Sequence, residues 1–159
     1  MPEEKRQKIS PEVRIYLDNC CYNRPYDDQT QMRIHLETEA KLYIQKMITD
    51  KEVKLVSSYV LEYENSRNRV QRKRQAIADF VSENESYYVG EERSSEVERK
   101  AESIIKTGVK EKDALHVACS VYAGCDFFIT TDDRLLKYQS DEVAIVTPGE
   151  FIRRSEAEK

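Results

Sequence analysis

Short apolar segments alternate with longer segments of helical periodicity along most of this chain of 159 residues, and this alternation restricts the possible folds more than any other feature. The apolar segments are rich in β-branched and aromatic residues, which favour strands. They occupy residues 13–17, 53–57, 87–89, 127–130 and 143–146. Strands separated by helices pair in parallel, with helices on both faces of the sheet. The sequence therefore predicts an α/β fold, a three-layer α/β/α sandwich around a central, mostly parallel sheet of about five strands.

The segments between the strands have the spacing of amphipathic helices. Residues 29–49 predict one long helix, 59–81 two helical pieces, and 112–122 another helix. The predicted buried face of the long helix consists of Met32, Leu36, Ala40, Tyr43, Ile44 and Met47. Ser95 and Glu98 have the spacing of a capping box, which predicts the start of a further helix.

Length and composition suit one globular domain, since 39% of the residues are hydrophobic and 35% are charged. We predict a folded domain over residues 13–153, a flexible N-terminal tail over 1–12 and a C-terminal tail over 154–159. No apolar run reaches the roughly 20 residues that span a bilayer, and the charged first ten residues do not resemble a secretory signal. The four cysteines, which lack CxxC spacing, predict reduced thiols. We therefore expect a cytoplasmic protein without membrane contact.

Acidic residues gather around the predicted carboxyl ends of the strands. They are Asp18, Glu62, Glu64, Asp113, Asp132 and Asp133. Asp18 directly follows the first strand, and Asp132 follows the fourth, so both belong to the sheet edge where parallel sheets bind ligands. Clustered carboxylates repel one another unless cations neutralise them, and such hard oxygen ligands suit Mg²⁺ or Mn²⁺. Metal ions held in this way can hydrolyse phosphodiesters.

Each of these acids also has a purely structural explanation. Asp18 can form a turn, Asp113 can stabilise a helix start, and Asp132 can cap a helix. Only the sheet edge that they share favours a functional site.

Three segments resemble motifs of the PIN-domain family of metal-dependent ribonucleases. They are IYLDN at 15–19, similar to the family's opening strand and aspartate, KDALHVA at 112–118, similar to its Asp-Ala-x-His-x-Ala helix, and FITTDDRLL at 128–136, similar to its Thr-x-Asp strand end. The segment SYVLEYE at 58–64 fits the family's serine followed by a helical glutamate. In order and spacing the resemblance covers residues 13–151.

The resemblance implies a catalytic site of metal-binding acids. They are Asp18, Glu64, Asp113 and Asp132. Glu62 is the alternate to Glu64, and Asp133 the alternate to Asp132. Thr130 and Asn19 are expected to orient the acids by hydrogen bonds. His116 is interpreted as a packed histidine bonded to a neighbour, with general-base catalysis as the other reading.

Basic residues crowd into one stretch after Glu64, and one more lies near the same sheet edge. The candidates for RNA binding are Arg24, Arg67, Arg69, Arg72, Lys73 and Arg74. Contacts to phosphates supply most sequence-independent affinity for RNA. A solvated helix face explains the stretch equally well. The net charge of −4 and the pI of about 5.4 argue against a nucleic-acid binder, so only local charge can support the prediction.

The resemblance implies a Mg²⁺- or Mn²⁺-dependent ribonuclease that hydrolyses RNA phosphodiester bonds, similar to the toxins of toxin–antitoxin pairs. An antitoxin protein and a homodimer are then the expected protein partners. The alternative is a non-catalytic PIN-like module that binds RNA or protein. A receiver- or phosphatase-like protein also uses acids and Mg²⁺ but needs a lysine after a late strand, where this chain has Thr147 and Pro148.

Overall fold

The structure is a computed structural model and describes residues 12–157. Its strands are β1 Arg14–Leu17, β2 Lys54–Ser58, β3 Glu85–Val89, β4 Phe127–Ile129 and β5 Ala144–Val146. Its α-helices are α1 Asn19–Asn23, α2 Met32–Thr49, α3 Tyr59–Ser66, α4 Gln71–Asn84, α5 Ser94–Ile105, α6 Glu111–Tyr122, α7 Asp133–Leu136 and α8 Pro148–Ala157. Short 3₁₀ turns occupy Arg24–Tyr26 and Glu91–Arg93.

All five strands form one parallel sheet in the order β3-β2-β1-β4-β5. In the centre of the sheet, Tyr16 of β1 lies opposite Val56 of β2 and Phe128 of β4. The chain crosses from β1 to β2 on one side and returns to β4 on the other, so a crevice opens beside the carboxyl end of β1. The predicted five-stranded parallel sheet is confirmed.

Helices cover both faces of the sheet because successive side chains of its central strands point to opposite sides. Tyr16 belongs to the core that β1 shares with α5 and α6, where it lies among residues such as Val97 and Val117. Ile15 and Leu17 belong to the opposite core, shared with α2 and α8. This arrangement is the predicted three-layer α/β/α sandwich.

Helix α2 buries only part of the predicted face, namely Ile44 and Met47. Its buried residues are Thr38, Lys41, Ile44, Met47 and Ile48. Its side chains Met32, Leu36 and Tyr43 are 71%, 58% and 39% exposed. Thr38 Oγ1 donates to the carbonyl of Arg24 at 3.0 Å, and Lys41 Nζ lies 5.6 Å and 5.7 Å from the ring centres of Tyr22 and Phe80. Two polar residues are thus buried in α2 because they find partners in other segments of the chain, which the apolar pattern of the helix does not reveal.

The structure differs from the sequence analysis at the starts of two helices. Helix α1 was not predicted; it begins where the Asp18 side chain accepts a hydrogen bond from the amide of Asn19 at 2.8 Å. The capping box of Ser95 and Glu98 is wrong, because α5 already begins at Ser94 and its N-cap, Arg93, makes no side-chain capping bond. The preceding 3₁₀ turn continues directly into the helix.

The last helix extends beyond the predicted end of the domain. Residues 154–157, predicted as a tail, belong to α8, and Ser155 is buried with its hydroxyl donating to the carbonyl of Ile152 at 2.8 Å. The predicted N-terminal tail, apart from Glu12, lies outside the described residues, as do residues 158 and 159. Within residues 12–157, none of the helices combines the length and apolarity needed to cross a membrane.

Candidate metal centre

The acids predicted to form the site line a single cavity of about 280 Å³ at the carboxyl edge of the sheet, which we call the acidic cavity. Its lining residues are Asp18, Cys20, Glu64, Lys110, Lys112, Asp113, Asp132 and Arg134. The acids come from four separate chain segments, and the parallel topology brings these segments to the same edge. Neither alternate acid, Glu62 nor Asp133, lines the cavity.

Asp18 is buried and held from several directions. Its backbone amide continues the pairing of β1 with β4 by donating to the carbonyl of Ile129 at 2.9 Å. Its carboxylate accepts from the amide of Asn19 at 2.8 Å and from Thr130 Oγ1 at 2.8 Å. The Cys20 thiol lies 3.5 Å from the same carboxylate. These contacts leave the Asp18 side chain one orientation at the floor of the acidic cavity.

Asp132 and Asp133 are adjacent but serve different contacts. Asp132 caps α7 by accepting from the amide of Arg134 at 2.9 Å, and its own amide donates to Thr130 Oγ1 at 3.0 Å. Asp133 instead pairs with Arg33 of α2, whose guanidinium donates to both carboxylate oxygens at 2.8 Å and 3.0 Å. That pair draws Asp133 away from the cavity, and Thr130 links Asp132 to Asp18.

Glu62 and Glu64 also diverge, because residues two apart on a helix point in nearly opposite directions. Glu62 accepts from the hydroxyl of Tyr88 at 2.6 Å on the far side of α3. Glu64 points into the acidic cavity, where Oε1 contacts His116 Nε2 at 2.7 Å and Oε2 lies 3.3 Å from Lys112 Nζ. Burial alone would raise the pKa of Glu64, but the hydrogen bond and charge of His116 together with the charge of Lys112 lower it.

Behind Glu64, a chain of buried hydrogen bonds crosses the core of the domain. Ser58 Oγ lies 2.6 Å from the hydroxyl of Tyr16, which lies 2.7 Å from His116 Nδ1. His116 is 1% exposed and meets Glu64 through its other nitrogen. An ionised carboxylate only accepts, so Nε2 of His116 donates to Glu64, and Nδ1 is the ring nitrogen that contacts the Tyr16 hydroxyl. His116 is therefore the packed, bonded histidine that the sequence favoured.

Burial and neighbouring carboxylates raise the proton affinity of Asp113. Burial, and then the negative charges of Asp18 and Asp132, raise the pKa of Asp113. Oxygen or nitrogen atoms of Asp18, Glu64 and His116 all lie within 4.8 Å of one another, a separation that one ion can bridge. Both ring nitrogens of His116 already have partners, however. Carboxylate oxygens are therefore the ligands that the site offers most readily.

Two further cavities adjoin the acidic cavity, and basic residues line both. One, of about 490 Å³, shares Lys110, Asp113 and Arg134 with the acidic cavity and extends to Lys137. The other, of about 390 Å³, shares Glu64 and Lys112 and extends to Arg67. Together the three cavities form a groove with acids at its centre and cations towards both ends.

Most of the basic residues predicted to bind RNA lie outside this groove. Arg24 is engaged by Glu37 at 2.7 Å and by Asp27 at 2.8 Å. Lys73 lies over the ring of Tyr26, and Arg74 donates to the carbonyl of Asn68. Arg69 and Arg72 are exposed. Of the six candidates, only Arg67 lines the groove.

Several groups at the site were not predicted from the sequence. They are Tyr16, Lys110, Lys112 and Lys137. A tyrosine within the aliphatic strand 13–17 was one available signal, because a buried hydroxyl requires a hydrogen-bond partner. The lysines gave none, since exposed lysines occur throughout the chain.

Solved structures with a similar fold place the chain among known architectures. One is VapBC2 from Rickettsia felis bound to a DNA fragment from its promoter. It has 8% sequence identity and a TM-score of 0.54, and the match covers 84% of this chain and 97% of that chain. FitAB bound to an IR36 DNA fragment is 17% identical with a TM-score of 0.55, covering 84% and 94%. FitAcB from Neisseria gonorrhoeae is 14% identical with a TM-score of 0.51, covering 85% and 98%.

No protein-family model and no curated protein matches the sequence. At such low identities the likeness to solved structures concerns the fold alone. At that level the chain has the PIN-domain fold, and the resemblance that its motifs predicted is confirmed.

Proposed function

We propose that this protein is a Mg²⁺- or Mn²⁺-dependent ribonuclease that hydrolyses RNA phosphodiester bonds. One observation carries the proposal: Asp18, Glu64, Asp113 and Asp132 come from four separate segments and line one cavity at the sheet edge where parallel α/β folds bind ligands.

The residues fit a hard divalent cation. The raised pKa of Asp113 reflects burial and two neighbouring carboxylates, so a cation in the acidic cavity would relieve unfavourable repulsion. Carboxylates without thiolate or free imidazole suit Mg²⁺ and Mn²⁺ better than softer metals. Cys20 is the one soft group in the cavity, and its sulfur already accepts from the amide of Thr131 at 3.4 Å.

The protein's own groups would hold the acids and attract the substrate. When bound, a divalent cation lowers the pKa of a water molecule and neutralises charge on the phosphodiester. Thr130 keeps Asp18 and Asp132 together, and His116 orients Glu64. Lys110 and Arg134 lie at the wall between the acidic cavity and its larger neighbour, where they can contact phosphates on one side of the scissile bond.

Calorimetric titration with Mn²⁺ tests the metal site without knowledge of the RNA substrate. We expect wild type and Asp133→Asn to bind Mn²⁺ and Asp132→Asn to lose most of that binding. The two variants make the same change in adjacent residues, and circular dichroism checks that both are folded. Failure of folded wild type to bind Mn²⁺, or equal binding by both variants, would remove the basis of the proposal.

Cleavage is tested next on a mixed pool of cellular RNA. Activity should require Mg²⁺ or Mn²⁺, stop on addition of a chelator, and disappear in Asp113→Asn. Cleavage by Asp113→Asn at the wild-type rate would refute the assignment of the acids, whatever the metal titration gave.

We also propose a protein partner, an antitoxin or a second copy of the chain, as expected of a toxin from a toxin–antitoxin pair. Met32, Leu36 and Tyr43 support this proposal, because exposed apolar side chains at these spacings share one face of α2 and such patches mark interfaces. Sedimentation of wild type and Leu36→Glu, alone and with a co-expressed antitoxin, tests it. Identical sedimentation in every mixture would argue against this face.

One observation favours the non-catalytic alternative. Lys112 Nζ lies 3.3 Å from Glu64 and so brings a positive charge into the acidic cavity without any metal. A module of this kind would bind RNA or protein but would bind no Mn²⁺. The calorimetric titration therefore separates the two functions.

A further inference from the structure

A second polar cavity, which we call the rear cavity, lies between α3, α4 and the strands β2 and β3. It measures about 110 Å³, and Leu61, Ile77 and Val81 form an apolar wall. Ser58, the first group of the buried hydrogen-bonded chain, lines it from the side of the sheet. None of the four acids proposed to bind metal takes part in it.

Two carboxylates give the rear cavity a negative charge. The hydroxyl of Tyr88 donates to Glu62 at 2.6 Å, and the hydroxyl of Ser57 donates to Glu85. Within residues 12–157, neither carboxylate forms an ion pair with a cationic side chain. Burial and the hydrogen bond with Glu62, followed by the charges of Glu62 and Glu85, raise the pKa of Tyr88, so this phenol lies in the field of both acids.

A third acceptor lies deeper in the same wall. Asn65 lines the rear cavity and is only 7% exposed. Its amide nitrogen donates to the carbonyl of Arg74 at 3.0 Å, whereas its carbonyl oxygen Oδ1 is buried without a partner among the described residues. A buried acceptor without a donor is unfavourable. The rear cavity thus combines negative charge, an unused buried acceptor and an apolar surface.

We propose that the rear cavity binds a guanidinium or alkylammonium group on a short apolar stem. The two carboxylates and Asn65 Oδ1 are acceptors, and such cations carry several N–H donors and no acceptor. Carboxylates without a counter-charge favour a positive ligand, and the apolar wall suits the methylene groups of its stem. The inference rests on Glu62, Glu85 and Asn65 and holds whether or not the protein is a ribonuclease.

The test is an NMR titration of the full chain with butylguanidinium, with butylurea as a neutral compound of the same shape. We expect the cation, and not the urea, to shift the amide signals of Ile77, Glu85 and Tyr88. Because hydrogen bonds to charged groups are stronger than those between neutral groups, Glu85→Gln should weaken binding roughly tenfold or more. Glu83→Gln, which removes an exposed acid of α4 outside the cavity, should bind as wild type does.

The proposal fails if butylguanidinium causes no shifts, if butylurea causes the same shifts, or if Glu83→Gln and Glu85→Gln weaken binding equally. A second arm identifies the source of the cation with the tripeptide acetyl-Gly-Arg-Gly-amide. Binding of the tripeptide as well as butylguanidinium supports the site and assigns the group to an arginine of a partner protein. Binding of butylguanidinium alone supports the site and assigns it to a free small cation.

Discussion

Replacing Tyr16 with phenylalanine would interrupt the buried chain behind Glu64 by the loss of one oxygen atom. The Tyr16 hydroxyl contacts Ser58 at 2.6 Å and His116 at 2.7 Å, and all three residues are almost wholly buried. Its ring stacks on Phe128 with centroids 5.3 Å apart, a contact that phenylalanine preserves. The substitution therefore tests the hydrogen bonds with little change in packing.

The expected loss of stability depends on the hydrogen bonds that Ser58 and His116 keep when the Tyr16 hydroxyl is removed. Ser58 keeps the amide of Leu61 as a donor at 3.1 Å, so it loses one net hydrogen bond, about 1 kcal/mol. Nδ1 of His116 loses its partner in the core, which costs about 1–3 kcal/mol. We expect Tyr16→Phe to lower the free energy of unfolding by about 2–4 kcal/mol.

Urea unfolding of the metal-free protein measures this difference, and Tyr59→Phe provides the matched control. The hydroxyl of Tyr59 is also buried but has no hydrogen-bond partner among residues 12–157. Its removal should leave stability unchanged or raise it. The same chemical change is thus predicted to act in different directions at two tyrosines.

Mn²⁺ affinity supplies a second readout on the folded Tyr16→Phe variant. Loss of a group that orients a metal-binding side chain through a neighbour commonly costs 10- to 100-fold in affinity, so we expect a loss of about that size. A stability loss below about 1 kcal/mol, or equal losses in Tyr16→Phe and Tyr59→Phe, would contradict the hydrogen-bonded chain. Unchanged Mn²⁺ affinity would contradict its role in orienting Glu64.

Three further predictions concern charge. Asp113→Asn should be more stable than wild type by about 0.5–2 kcal/mol at pH 7 in chelator. The reason is that the folded-state pKa of Asp113 is raised, so wild type loses stability as the pH rises from the ordinary carboxyl pKa through the raised one. The stability difference between the two proteins should disappear in acid unfolding experiments below the ordinary pKa, and on saturation of wild type with Mn²⁺. Lys41, buried with its pKa lowered to about 8 from 10.5, makes the folded state bind fewer protons than the unfolded state between these values, so wild-type stability should rise with pH. In urea unfolding, the free energy of unfolding of Lys41→Met should exceed that of wild type by about 3 kcal/mol at pH 7, and this difference should disappear near pH 10.5. If RNA occupies the groove, Lys137→Gln should reduce the salt dependence of RNA binding by about one phosphate contact in filter-binding assays, whereas Arg24→Gln should not.

The sheet and its layers could be predicted because periodicity reports local burial. The buried face of α2 could be predicted only in part, because Thr38 and Lys41 enter the core through partners supplied by other segments. The same limit applies to the chain behind Glu64. Tyr16 and His116 are 100 residues apart in sequence, and no local pattern predicts that they meet.

The sequence alone contains the physical reason for only one of the two choices between neighbouring acids. Helical geometry alone separates Glu62 from Glu64, since residues two apart point in nearly opposite directions. Asp132 and Asp133 both stand at the start of α7, and the position of Asp133 depends on Arg33, which pairs with it across 100 residues of sequence. The Thr-x-Asp interval from Thr130 favours Asp132, whereas the pairing of Asp133 with Arg33 is visible only in the tertiary structure.

The net charge of −4 loses its force as an objection once its distribution is known. RNA affinity depends on charge within about a Debye length of the phosphates, roughly 8–10 Å at physiological salt, and not on the total. At the groove, Lys110, Lys112 and Arg134 share the acidic cavity with the carboxylates, and Arg67 and Lys137 extend the positive charge towards the two ends. Glu150, which is paired with Arg153, does not line the groove. A protein with an acidic total can therefore present a locally basic path that leads to a cluster of carboxylates.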